Sequence, residues 1–147
     1  MKTGTATIFL IIFNKARMLK NIAKNRIMVS KVKIYDNIFL KGLGLMFSRP
    51  LNDKCLVLRF KSEKIRPLHM YFVFYAIDVL FLDKDSRVVE IKENFKPFSF
   101  YFPKNKAMFI VEVPLGTAKK ARVEIGDAVD FENSDGARFS NKVPGED

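Results

Sequence analysis

The chain has 147 residues, 48% of them apolar and 29% charged, and carries a net charge of +10 at pH 7. That balance describes one globular domain with some flanking tail and excludes an intrinsically disordered chain. A single cysteine (Cys55) and a single histidine (His69) exclude an internal disulfide, a cysteine-based zinc site and any multi-histidine centre, so no metal or cofactor is expected.

The charge is uneven along the chain. Residues 1–66 hold fifteen Lys/Arg against three acids, whereas residues 67–147 hold eleven against thirteen. Residues 1–28 therefore read as a basic N-terminal arm. Its apolar run Ala6–Phe13 is far shorter than the roughly 20 residues a membrane span needs. Lys2 before that run resembles the start of a signal peptide, but Asn14, Lys15 and Arg17 follow directly and no small-x-small cleavage site appears. A cytoplasmic protein is the expectation, with a peripheral place at the membrane as the alternative. From Lys15 to Ile27 the spacing of Met18, Leu19, Ile22, Ala23 and Ile27 predicts an amphipathic helix, with Arg17, Lys20 and Lys24 opposite. Such a helix suits contact of residues 15–33 with nucleic acid or an anionic membrane surface.

From Val29 the periodicity turns to strands. Ser30–Ile34 alternates, Asp36-Asn37 marks a turn, and Ile38–Phe47 is an apolar stretch broken by Gly42 and Gly44. Cys55–Phe60, Leu68–Phe74, Ile77–Leu82, Arg87–Ile91, Phe98–Phe102, Ala107–Val113 and Ala128–Phe131 read as further strands. Asp83-Lys84-Asp85-Ser86 is the turn of a hairpin. Pro114 stops one strand, and Thr117 is placed to cap a short helix through Val123. Short strands at intervals of about 8 to 12 residues predict a mainly β fold: a single compact antiparallel sandwich or barrel over residues 29–131, with one or two short helices. The polar stretch 132–147 reads as a disordered tail.

Three ordered segments resemble one family. They are GLMFSR (Gly44–Arg49), Met70 with the strand Ile77–Asp83, and VEVPLG (Val111–Gly116) leading to a helix and Gly126-Asp127. Together they are similar to domain of unknown function 192, over roughly Val29 to Phe131. The resemblance implies a compact β domain and no particular activity. Where that family often has Trp-Met-Lys-Asn-Thr, this chain has His69-Met70-Tyr71-Phe72-Val73.

Asp78 is the main candidate for a site. It stands in an otherwise apolar and aromatic run, Tyr71–Leu82, where an ion needs a dedicated partner. Arg49, with its bidentate fork, is the expected partner, and the pair reads as a structural ion pair. A cleft formed by Arg49, His69, Asp78 and Glu112 is the expected ligand-binding site, taking a small ligand or protein partner. No catalytic residues are expected. Cys55 or Ser48 with His69 and Asp78 makes a triad on paper, yet no G-x-S-x-G elbow exists and Cys55 begins an apolar strand. Asp83 and Asp85 resemble a calcium loop but lack its glycine and terminal glutamate. Phe95, Phe98, Phe100, Tyr101 and Phe102, beside Lys92, Lys96, Lys104 and Lys106, read as a strand with aromatics inward, or alternatively as a stacking platform for single-stranded nucleic acid or sugar.

Overall fold

The structure is a computed structural model that describes residues 17–36 and 44–133. A five-stranded sheet organises it. Its strand order is β3 (Lys31–Tyr35), β4 (Lys54–Lys64), β9 (Ala107–Pro114), β6 (Ile77–Leu82) and β7 (Val88–Phe95). A three-stranded sheet has the order β10 (Val129–Asn133), β1 (Arg17–Asn21), β2 (Arg26–Val29). A two-stranded ribbon pairs β5 (Leu68–His69) with β8 (Phe100–Tyr101), and one short helix, α1, spans Thr117–Lys120. The fold is mainly β and compact, as the strand periodicity predicts.

Alternation divides the sheet's side chains between two cores. On one face Cys55, Val57, Leu80, Leu82, Phe109, Val111 and Val113 meet Leu19, Val29, Val129 and Phe131 of the small sheet, and Ala118 of α1. On the other face Leu56, Leu58, Ile77, Val79, Phe81 and Ile110 meet Leu45, Met70, Val73 and Phe95. A central strand covered on both faces cannot alternate apolar with polar. All six residues of β6 are accordingly buried, Asp78 included.

Three expectations change. The helix over Lys15–Ile27 does not form across the described residues. Instead β1 and β2 make a hairpin whose turn, Ile22–Asn25, holds Asn25 at φ 50°. Leu19 and Asn21 are fully buried, while Ile22 and Ile27, assigned to the apolar helix face, are 39% and 59% exposed. Paired strands therefore occupy Arg17–Val29, the stretch expected to be an arm. The rest of the expected arm, residues 1–16, and of the expected tail, 134–147, lies outside the described residues. Second, β3 and β4 run parallel, in register from Lys31↔Lys54 to Tyr35↔Leu58, within an otherwise antiparallel sheet. Third, α1 is capped by Gly116 at φ 86° rather than by the Thr117 side chain, and Thr117 is buried.

Candidate functional site

Asp78 points to the α1 side of the sheet, opposite Val113 on β9. One carboxylate oxygen accepts the backbone N–H of Asn94 at 3.0 Å. The other accepts those of Gly116 at 2.9 Å and Ala118 at 3.1 Å. Both donors flank the start of α1, where free N–H groups and a partial positive charge suit a carboxylate. The ion pair with Arg49 does not form. Arg49 lies exposed on the turn after Gly44–Phe47, and backbone amides satisfy Asp78 instead.

Parity places Glu112 elsewhere. On β9 it alternates with Val111 and Val113, so it faces the second core with Ile110, opposite Leu56 of β4 and Val79 of β6. The sheet itself separates Asp78 from Glu112, and the four-residue cleft expected from the sequence is split between its two faces.

Glu112 differs from the other buried carboxylates. Asp78 holds three amides. Glu90 accepts the Tyr101 hydroxyl at 2.5 Å, the backbone N–H of Lys104 and both the backbone and side-chain N–H of Asn105. Burial alone would raise Glu90, but these donors outweigh it and hold the group below its ordinary range. Burial together with Glu90 lifts the Tyr101 phenol to about 12. Asp127 accepts from Asn21 Nδ2 and the Glu124 backbone, with Lys24 Nζ at 3.8 Å, and is lowered despite its burial. Glu112 Oε2 has no hydrogen-bond partner, and burial pushes its carboxyl up to about 7.

Glu112 lines a cavity of about 440 Å³. Leu58, Phe60 and Ile110 of the sheet, Gly44–Met46, and Ile65–Met70 with Val73 form the rest of the wall. Arg66 is on that wall, its guanidinium 3.7 Å above the Phe60 ring and one Nη donating to the Ser62 carbonyl at 2.8 Å. Among the described residues, the buried side-chain polar atoms with no partner are Arg66 Nε and Glu112 Oε2, and both residues line this cavity. The two form no salt bridge with each other, so they are separated by more than 4 Å. Such an arrangement can hold a hydrogen-bonding group between a fixed donor and a carboxyl that changes protonation near neutrality.

Of the four expected site residues, His69 and Glu112 reach this cavity. His69 is exposed at its edge, its Nδ1 accepting the Tyr71 backbone N–H at 3.2 Å. Arg66, Phe60 and Met46 were missed, since an arginine before a proline and an apolar strand residue carry no signature of their own. The segments that carry the family resemblance do converge here: Gly44–Met46, Met70 and Glu112 all line the wall. The paper triad is dispersed. Cys55 is buried in the α1-side core, and burial pushes its thiol far up. Ser48 Oγ donates to the Leu45 carbonyl and contacts the Tyr75 hydroxyl at 2.6 Å. Among the described residues there is no group of three or more His, Cys, Asp or Glu able to hold a metal ion. Nor is any helix among them long and apolar enough to cross a membrane.

The basic segment is partly engaged within the fold: Lys24 pairs with Glu124 at 2.8 Å, and Arg26 donates to the Lys120 carbonyl. The aromatic run meets the inward-facing expectation at Phe95, which is buried, and departs from it at three other positions. Phe98, Phe100 and Phe102 are 50%, 53% and 71% exposed.

A family model described as DUF192, "Uncharacterized ACR", matches residues 19–131. The chain is 36% identical over 116 residues to a UPF0127 protein of Thermococcus sibiricus, covering 78% of this chain and 75% of that one. It is 34% identical over 112 residues to a UPF0127 protein of Pyrococcus horikoshii, covering 76% and 96%. Among solved structures it resembles a candidate transcription regulator of Sinorhizobium meliloti 1021 (TM-score 0.69, 22% identity, covering 78% of this chain and 91% of that one). It also resembles a protein of unknown function of Novosphingobium aromaticivorans (TM-score 0.68, 17% identity, 78% and 83% covered). At those identities the two structures speak for the fold alone.

Proposed function

From the premise that this chain belongs to the DUF192 family of uncharacterised proteins, we propose that it is a non-catalytic binding module whose site is the Glu112–Arg66 cavity. One observation supports the reading: the two residues that carry an unpartnered buried polar atom among the described residues, Arg66 and Glu112, both line one cavity. An unpaired buried polar atom costs about 1–3 kcal/mol, and a ligand that pairs both removes that cost. The ligand class follows from the lining. Its apolar body packs on Leu58, Phe60, Ile65 and Met70, an acceptor oxygen meets Arg66 Nε, and a hydroxyl or amide meets the Glu112 carboxyl. A volume of about 440 Å³ lies within the usual range for small-molecule sites.

The test is a ligand-observed NMR screen of small hydroxy- and amide-bearing compounds on the full chain. Hits should bind the native protein and Glu112→Gln, and fail on Glu112→Leu, which removes the polar group while keeping an apolar filling. Hits indifferent to Glu112→Leu, or none at all, would refute the site. Affinity that falls as pH rises past 7 supports a neutral ligand paired with the protonated acid; affinity that rises points to a cationic one and overturns the stated class.

A further inference from the structure

We infer that the aromatic loops beside this cavity dock the protein onto an anionic lipid surface. Six phenylalanines are each between 45% and 71% exposed: Phe47, Phe72, Phe74 and Phe98 form one ring cluster, and Phe100 stacks on Phe102 and meets Tyr71. The four clustered rings come from three connecting segments whose backbones are tied. The Phe47 N–H donates to the Phe72 carbonyl at 2.8 Å, and that of Phe98 to the Met70 carbonyl at 2.8 Å. The rings touch one another: Phe47 stacks on Phe72 at 4.9 Å, and Phe98 meets both Phe72 and Phe74 edge-on at 6.1 and 5.4 Å. A contiguous exposed apolar patch of this kind marks an interaction surface.

Backbone strain points the same way. Phe47, Phe72 and Phe98 sit at φ 58°, 54° and 55°. A bulky residue there is an outlier that costs on the order of 1 kcal/mol, and glycine or asparagine would avoid the cost. Stability does not account for three phenylalanines kept at strained positions and then left in water. A use for the rings themselves does.

Charge and ring chemistry select the occupant. Lys96 precedes Phe98, Lys104 and Lys106 follow Phe102, and Arg49 follows Phe47, all exposed. Phenylalanine brings no polar atom, and these rings occupy one another's faces, which suits an acyl layer better than successive bases. A second copy of the chain would set lysine against lysine. Apolar side chains in the acyl boundary with lysines at the headgroups are the arrangement of a protein resting on an anionic bilayer.

The chain contains no tryptophan, so a single introduced indole reports its own loop. In the full chain, Phe98→Trp emission should shift to the blue on adding phosphatidylcholine vesicles containing phosphatidylglycerol, and should be quenched by lipids brominated on their acyl chains. Pure phosphatidylcholine should give much less, and added salt should weaken the response. Ile125→Trp, on a different exposed loop, should stay unshifted. The double variant Phe72→Gly with Phe98→Gly should keep or raise the melting temperature, because it relieves the two positive φ angles, yet lose vesicle binding by tenfold or more. Vesicle binding without the Phe98→Trp shift, or undiminished in the double variant, would overturn the inference. So would a shift produced by rising protein concentration alone, which means self-association, or by oligothymidine instead of vesicles, which means nucleic acid. Glu112 takes no part in this contact, so Glu112→Leu should bind vesicles normally whatever the fate of the cavity.

Discussion

Glu112 and Asp78 are both buried acids, 8% and 1% exposed, but three backbone amides donate to Asp78 while Glu112 Oε2 has no partner. Glu112 titrates at about 7 in the fold against 4.5 when unfolded, so the folded state holds its proton across that window. Its contribution to stability is fully present below pH 4.5 and is lost as pH climbs through 7, by about 3 kcal/mol in all. Glu112→Gln should therefore be nearly neutral in denaturant titrations at pH 4.5 and stabilising by up to about 3 kcal/mol at pH 8. Asp78→Asn should cost about 2–4 kcal/mol, because an amide offers one acceptor oxygen where three N–H groups converge and turns its own NH₂ towards the rest. Arg49→Ala should change stability by less than about 0.5 kcal/mol, as an exposed residue does. An ion pair between them would instead make the two losses comparable. The cost of a carboxylate at Asp78 was legible from its apolar neighbours. Its partners were not, since backbone amides belong to every residue and leave no mark in composition.

The strands of the main sheet were legible because local stops bound them: Pro114 at the end of β9, the Asp83–Ser86 turn between β6 and β7, Arg49-Pro50 before β4. What stayed hidden was register. Residues on β6 and β9 share or divide a face according to their pairing, and only the observed match of Asp78 with Val113 assigns Glu112 to the far side. The β1–β2 hairpin was misread because five apolar residues happen to recur at helical spacing. Burial against the five-stranded sheet decided the matter, keeping Leu19 inside and leaving Ile22 and Ile27 in solvent. At the junction of β9 with α1, Gly116 carries both the positive φ and one amide to Asp78. Space is open around a Cβ there, so Gly116→Ala meets only backbone strain and should cost about 1–2 kcal/mol in thermal or chemical unfolding. A larger loss would mean that the Asp78 cap fails with it.

On the scale of the whole molecule, the basic N-terminal segment is no detachable appendage from Arg17 onward. Removing residues 1–28 deletes β1 and most of β2, and uncovers Val129, Phe131 and Phe109. Losing the packing of Leu19 alone is worth about 2–5 kcal/mol, a large part of what a domain this size possesses. The truncated chain should show no cooperative melting by circular dichroism; an unchanged transition would make the hairpin dispensable. The parallel pairing of β3 with β4 has a consequence of its own. Two strands running the same way cannot be joined by a tight turn, so the chain leaving Tyr35 has to travel back before re-entering at Lys54. Gly44, Leu45 and Met46 lie on that return path and form one wall of the cavity. The wall thus belongs to the connection between two neighbouring strands of the sheet, like a strap across a buckle. A guest that tightens it should slow amide hydrogen exchange at Val32 and Ile34, on a strand that does not line the cavity.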